Sequence, residues 1–275
     1  MTEELQKKVS ASVKLLQAVQ GNQLFNDFPI ELAYSGGKDS DVILHLARTN
    51  GINVQPIYKC TTVDPPGTIK HVLSVGATIR HPKRNFWKIV EAKGFPSRFE
   101  RFCCSELKEY KISDTCIMGI RKDESSKRDK RYKEPIECRP YKNGGRVNAI
   151  YPILYWTEKD IEEYIKENNI QCAPVYYKNN VFDVKVRLGC IACPLQNRSS
   201  RIEEFRKYPG FVKQYIKHGQ IYLDTHRHTK QGKEFANSYQ LFILNVFCDN
   251  MEQYHEIIDN NDPKEFIENE FNIKL

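Results

Sequence analysis

Residues Ser35–Ser40 read SGGKDS, which sets two hydroxyls, paired glycines, a lysine and an aspartate side by side. Such a loop wraps an anion. Glycines let backbone N–H groups approach phosphate oxygens, a following helix adds the partial positive charge of its N-terminus, and Lys38 adds a full charge. Asp39 offers carboxylate oxygens to a magnesium ion. The loop is not a Walker A motif: Leu32 stands where that motif needs its first glycine, and Asp39 stands where it needs Ser or Thr.

A second group of chemically active residues is cysteine. Adjacent Cys103 and Cys104 lie in FCCSELK, and Cys190 and Cys193 form the C-x-x-C of GCIACP. Two such pairs make a four-thiolate metal site, and thiolate sulfur suits zinc and iron–sulfur clusters equally by ligand type. Cys60, Cys116, Cys138, Cys172 and Cys248 better fit the role of small buried hydrophobes, and Cys248 sits in an apolar stretch where a thiol is inert.

The elements around these residues read as strand, loop and helix in alternation. An apolar strand over 28–34 runs into the SGGKDS turn and a helix over 39–49 follows; a strand over 53–60 leads to a Pro65-Pro66-Gly67 turn and a helix through Val75. Further strands are expected at 77–80 and 115–120, with a helix at 86–93 ended by Gly94. This rhythm predicts an α/β fold with a doubly wound, mostly parallel sheet, in which the loops after Tyr34, Cys60 and Ile120 share one crevice at the strand carboxyl ends. An amphipathic helix over 3–20 packs on this body, and Thr157 with Asp160 starts another helix that runs to about 168. Beyond Pro194 the apolar spacing turns helical, so residues 1–195 are read as a nucleotide-binding domain and 196–275 as a helical C-terminal subdomain.

Composition narrows the class. The 275 residues are 40% hydrophobic and 28% charged, as in a globular protein rather than a disordered or fibrous one. No apolar run approaches the roughly 20 residues that span a bilayer, and MTEELQKK lacks an apolar signal-peptide core, so the expected location is the cytoplasm with no membrane partner. An excess of 42 Lys and Arg over 35 Asp and Glu favours anionic partners such as nucleotides, sulfate or nucleic acid. By composition alone, RKDESSKRDKRYK at 121–133 is a solvated loop.

SGGKDS resembles the PP-loop of the adenine-nucleotide α-hydrolase superfamily. TTVDPPGTIKHV from Thr61, GIRKDESSKR from Gly119 and YPILYWTEKDIEEYI from Tyr151 are similar, in order and spacing, to segments of the phosphoadenosine phosphosulfate (PAPS) reductase family. The resemblance covers about 28–195 and implies a Rossmann-like fold that binds ATP or an adenylated sulfate. It makes Arg121, Glu124, Ser125 and Arg128 match the family's G-x-R-x-x-E-S-x-x-R pattern, with both arginines as anion binders, since guanidinium forks take two oxygens at once. It places Lys38, Asp39, Arg121 and Arg128 in catalysis, and Ser35, Gly36, Gly37, Ser40, Thr61, Lys108, Glu124 and Ser125 with them in nucleotide binding. The CC…CxxC pattern is similar to the ligands of a 4Fe-4S cluster in adenylyl-sulfate reductases, which puts iron–sulfur ahead of zinc at Cys103, Cys104, Cys190 and Cys193.

One family feature is missing: the E-C-G-x-H motif near the C-terminus of assimilatory reductases, where this chain reads NEFNIKL. Three functions follow. The first is an enzyme that splits ATP between the α and β phosphates, with magnesium, to activate an acceptor for sulfur chemistry, as in proteins of DNA phosphorothioation and tRNA thiolation, with a sulfur donor protein as partner. The second is a sulfonucleotide reductase, and the third a nonenzymatic subunit that binds nucleotide or nucleic acid.

Overall fold

A computed structural model describes residues 1–22, 29–140, 145–227 and 234–275. The chain divides into two compact units, and they do not follow one another in sequence. The first comprises Met1–Cys60, Asp64–His81 and Lys108–Leu188; the second comprises Thr61–Val63, Pro82–Leu107 and Gly189–Leu275.

The first unit is built on a six-stranded sheet. Its strands are β1 (Ile30–Ala33), β2 (Val54–Lys59), β3 (Thr78–Arg80), β4 (Thr115–Met118), β5 (Ile136–Pro140) and β6 (Arg146–Ile150), in the order β3-β2-β1-β4-β6-β5. All pairings are parallel except β5 with β6. Leu32 lies opposite Pro56 on one side and Ile117 on the other. Ile30, Leu32 and Ile117 are fully buried, as expected of central strands covered on both faces. From β1 the chain winds outward through β2 and β3, then returns to the other side of β1 at β4, so the topological switch point lies between β1 and β4. Open α/β sheets bind their ligands at that point, beyond the strand carboxyl ends.

Helices flank the sheet for local reasons. The helix α1 (Glu3–Gln20) begins at Thr2, whose hydroxyl accepts from the Leu5 N–H at 3.3 Å, and buries Leu5, Leu16 and Val19. Gly37 caps α2 (Lys38–Thr49) in extended backbone, with Asp39 and Asp41 favouring its positive end. A reciprocal Thr157–Asp160 capping box opens α7 (Glu158–Glu167). The unit also contains α3 (Thr68–Ser74), between α2 and α7, and, after α7, a short hairpin of β7 (Tyr177–Lys178) and β8 (Val181–Phe182).

Two expectations change in this unit. The strand read as starting at Phe28 begins at Ile30, and Phe28 lies outside the described residues. The charged segment after Ile120 is ordered backbone rather than a plain loop: Lys122–Glu124 is a 3-10 turn, and Ser125 caps the short α6 (Ser126–Arg131) by accepting from the Arg128 N–H at 3.2 Å.

The second unit contains α4 (Phe86–Lys93), α5 (Phe102–Leu107), α8 (Arg198–Lys207), α9 (Pro209–Thr225), α10 (Ser238–Phe247), α11 (Met251–Asn260) and α12 (Pro263–Phe271). Residues 196–275 are thus mostly helical, as read. They share a core with 82–107 as well, because Phe95 and Phe86 pack on Tyr215 at ring separations of 5.0 and 5.9 Å. Phe205 completes the cluster, 5.3 Å from Tyr215 and 5.2 Å from Phe242. Among the described residues no helix is long and apolar enough to cross a membrane.

Candidate functional site

The SGGKDS loop joins β1 to α2 at the switch point. Gly36 adopts φ +73°, and a Cβ there would meet Val72 Cγ2 at 3.3 Å, so glycine is required by backbone and by space. We expect Gly36→Ala to lower unfolding free energy by about 1–2 kcal/mol in urea titrations. The Gly37 carbonyl accepts from the N–H groups of Ser40 and Asp41 at 2.9 and 3.0 Å and from the Ser40 hydroxyl at 2.7 Å. The Tyr176 hydroxyl accepts from the Lys38 N–H at 3.2 Å, fastening the loop from outside.

This loop, the segment after β4 and the residues around Arg187 line one cavity of about 660 Å³, within the range of nucleotide-sized pockets. Lys38 is buried in its wall: Nζ donates to the Val186 carbonyl at 3.1 Å and lies 5.3 Å from the Tyr176 ring centre. Burial lowers its pKa from 10.5, and neighbouring Asp39 works against that shift. Arg121 is only 3% exposed; its Nε donates to Asp39 Oδ1 at 2.7 Å and its Nη1 to Asp123 Oδ2 at 3.4 Å. Arg128 pairs with Glu124, and Arg187 Nη2 donates to the Glu124 carbonyl at 3.1 Å.

The lining therefore holds four basic side chains (Lys38, Arg121, Arg128, Arg187) and four acidic ones (Asp39, Asp123, Glu124, Glu158). A bare polyanion gains little from a balanced wall, whereas an anion that carries a divalent cation engages both signs. Magnesium takes only one or two protein carboxylates and completes its shell with phosphate and water. Asp39 and its neighbours fit that demand, even though among the described residues no three His, Cys, Asp or Glu side chains are gathered for a metal.

Behind the loop is a buried clip that sequence reasoning missed. Tyr34 and Asp41 flank SGGKDS, and the Tyr34 hydroxyl donates to Asp41 Oδ1 while His71 Nε2 lies 2.9 Å from both oxygens. The ends of the phosphate loop are thereby stapled to α3. Desolvation raises the Asp41 pKa above 3.8, against hydrogen bonds from His71 and Tyr34. A carboxyl with a raised folded-state pKa binds its proton more tightly in the native protein, so its contribution to stability falls as pH climbs from about 3.8 through the raised value. Asp41→Asn is expected to flatten this decline, as read by urea unfolding across acid to neutral pH; an unchanged slope would mean that Asp41 does not carry it.

In the second unit Cys103 and Cys104 sit on α5, and Cys190–Cys193 forms a tight turn in which Ala192 has φ +54°. The turn is held by Ile191 N–H donating to the Val63 carbonyl at 2.9 Å and Ala192 N–H donating to Glu204 Oε2 at 2.6 Å. A hydrogen bond with Cys104, burial, and the charges of Cys104, Cys190 and Cys193 all push the Cys103 thiol up. The charges of the other three thus all act on Cys103, and four sulfurs are the donor set that zinc or an iron–sulfur cluster takes. They are not drawn together to the spacing at which three would hold one ion.

Of the remaining cysteines, Cys60, Cys116 and Cys172 are buried as read, but Cys138 is exposed. It lies on β5, an edge strand whose burial alternates, and its position falls on the outward side. Cys248 is half-buried, donates to the Ile243 carbonyl at 3.5 Å and is pushed up by burial, which suits an inert thiol.

The profile of the phosphoadenosine phosphosulfate reductase domain family matches residues 29–196. The chain belongs to this family. Its relatives include an uncharacterised protein of Methanocaldococcus jannaschii, 28% identical over 230 residues, an alignment covering 78% of this chain and 52% of that one. Sulfate adenylyltransferase subunit 2 of Chromobacterium violaceum is 26% identical over 181 residues, covering 53% and 58%. The chain thus spans about half the length of these curated relatives. A PAPS reductase structure from Candida auris, a phosphate complex, is 18% identical with a TM-score of 0.43, covering 63% of this chain and 90% of that one.

In this PAPS reductase-family chain the cavity brings together Ser35, Gly37, Lys38, Asp39, Ser40, Arg121, Glu124 and Arg128. Gly36 shapes the turn and Ser125 caps α6, so both act on the backbone rather than on the lining. Lys108 belongs to the first unit and lies outside the lining. Thr61 belongs to the second unit, where its hydroxyl accepts from Cys190 Sγ at 3.5 Å. Asp123, Glu158, Tyr176 and Arg187 are the lining residues that sequence reading missed.

Proposed function

We propose that this chain cleaves ATP between the α and β phosphates and transfers the adenylyl group to an acceptor in sulfur metabolism. The observation that carries the reading is the convergence of Lys38, Arg121 and Arg128 on the cavity capped by SGGKDS. An acceptor oxygen or sulfur attacks the α phosphorus, the bond to the bridging oxygen breaks, and pyrophosphate leaves with the electron pair. Lys38 and Arg121 line the cavity and would neutralise charge that grows on that leaving group, an effect that is strongest when the donors are fixed in advance. Asp39, whose Oδ1 is held by Arg121, is the carboxylate that would bind a ligand-borne magnesium, which would supply further charge neutralisation of the phosphates. The matched relatives named sulfate adenylyltransferase subunit 2 support this reading, because that name denotes adenylyl transfer with loss of pyrophosphate. The thiol of Cys248, bonded to the Ile243 carbonyl and pushed up by burial, speaks against its use as a nucleophile on an adenylated sulfate.

Cys103, Cys104, Cys190 and Cys193 are the residues we assign to a 4Fe-4S cluster, with zinc as the other metal their sulfurs suit; what supports it is their shared unit and the influence of the other three on the Cys103 thiol. Bound, the cluster would supply a site for sulfur or electrons. The test combines two measurements on protein purified without oxygen. ATP turnover is followed by pyrophosphate release, with an α,β-methylene analogue as the non-cleavable control, and the same sample is analysed for iron, acid-labile sulfide and zinc. Release of ADP and phosphate instead would overturn the adenylyl reading; protein without iron, sulfide or zinc would overturn the cysteine assignment.

A further inference from the structure

The second unit has a cavity of its own, about 570 Å³, bordered by Pro194 and Gln196 just after the C-x-x-C turn. Three arginines line it: Arg98, Arg198 and Arg201. Arg201 is 6% exposed, yet its hydrogen bonds go to neutral groups: Ala192 O at 3.0 Å, Asn245 O at 2.8 Å, Asn245 Oδ1 at 2.6 Å and the Tyr215 hydroxyl. Arg98 is likewise spread over the carbonyls of Pro194, Leu195 and Gln196 at 3.0–3.4 Å. Among the described residues neither forms an ion pair, and the one carboxylate in the lining, Asp249, is taken by Arg198.

A guanidinium this deeply buried normally has an anionic partner, because desolvating a charge is costly without one. Here three positive charges face a single negative one, so the cavity is short of anion. The first turn of α8, a ten-residue helix capped by Asn197, also lines it and adds partial positive charge. Phe99 is in the lining too, 98% exposed, which leaves an aromatic face open to a flat partner.

We propose that this cavity binds a nucleotide unit of a single-stranded nucleic acid, its phosphate neutralised by the arginines and its base stacked on Phe99. Arginines and an exposed ring on one cavity supply the two contacts that single strands need, since phosphate gives affinity and every base has a face to stack. Binding here is separate from ATP cleavage in the first unit, so either can fail without the other.

The experiment is fluorescence anisotropy of a labelled oligouridylate, and of its DNA counterpart, against the full chain and two variants, Phe99→Ala and Arg198→Gln. Arg98 and Arg201 are left intact because they pin backbone carbonyls. We expect Phe99→Ala to weaken strand binding by at least about fivefold, the lower end of what loss of one stacked base costs. Arg198→Gln is expected to weaken binding and to reduce the salt slope by about 0.7, the value for one lost phosphate contact on a single strand. Binding of an ATP analogue to the first unit stays at the parent level in both, showing that the fold is intact. RNA and DNA arms that differ identify which strand is bound, and either supports the proposal. Unchanged strand affinity in both variants, or binding insensitive to salt, would overturn it. So would displacement of the strand by AMP or inorganic phosphate at the strand's own concentration, since the cavity would then be a mononucleotide or phosphate site.

Discussion

Lys38→Ala is expected to slow pyrophosphate release from ATP by about a hundred- to a thousandfold, the effect of removing one preorganised charge donor from a developing anion. The parent lysine lies buried in the wall beside the loop, with Nζ parked on the Val186 carbonyl. Burial has already lowered its pKa, so its proton is held less tightly than that of a surface lysine, and an arriving phosphate restores the lost stabilisation of the charge. That is differential binding: the side chain gains most when negative charge is greatest. The structural cost is small by comparison, one side-chain hydrogen bond worth about 1 kcal/mol. Rate and thermal stability measured on one preparation separate the two effects, and parent-level release from a folded Lys38→Ala protein would remove this residue from the chemistry.

Arg121→Met is the second large effect, and it strikes stability and turnover together. Arg121 is almost wholly buried and Asp39 faces it at 2.7 Å, with Asp123 on a second nitrogen. Removing one partner of such a pair leaves a carboxylate short of its counter-charge, a loss of about 3 kcal/mol where the other partner keeps some solvent contact. Neutralising that partner in Arg121→Met/Asp39→Asn is expected to recover most of the stability, because both charges are then gone. Pyrophosphate release is expected to stay low in the double variant, since neither the guanidinium nor the carboxylate returns. Urea unfolding of the four proteins of the cycle gives the coupling directly; a double variant no more stable than Arg121→Met would mean the two residues act independently.

The site was readable in the sequence where its parts are neighbours in the chain. SGGKDS and the R-x-x-E-S-x-x-R run are each continuous, and their strand-loop-helix setting follows from short apolar runs such as IELA and TCIM. Tyr176, Glu158 and Arg187 reach the same cavity from far downstream, and nothing in their spacing marks them out from a core tyrosine and two surface charges. Tyr34 and His71 are equally silent, because a buried polar clip is a property of packing and carries no period. β5 escaped notice for a related reason. Edge strands bury one face at most, and IECRP alternates without the run of branched apolar residues that marks a central strand.

The interleaving of the two units bears on how the protein is made. Phe86 and Phe95 leave the ribosome well before Tyr215, Phe205 and Phe242, the rings on which they pack. The first unit also waits, because Trp156 and Tyr176 of its core follow the inserted segment. Neither core can close on the nascent chain as the N-terminal half emerges, and an apolar stretch centred on α4 stays uncovered through much of synthesis, a state prone to association. A fragment starting near residue 196 has the mirror-image defect, with Tyr215 deprived of Phe86 and Phe95.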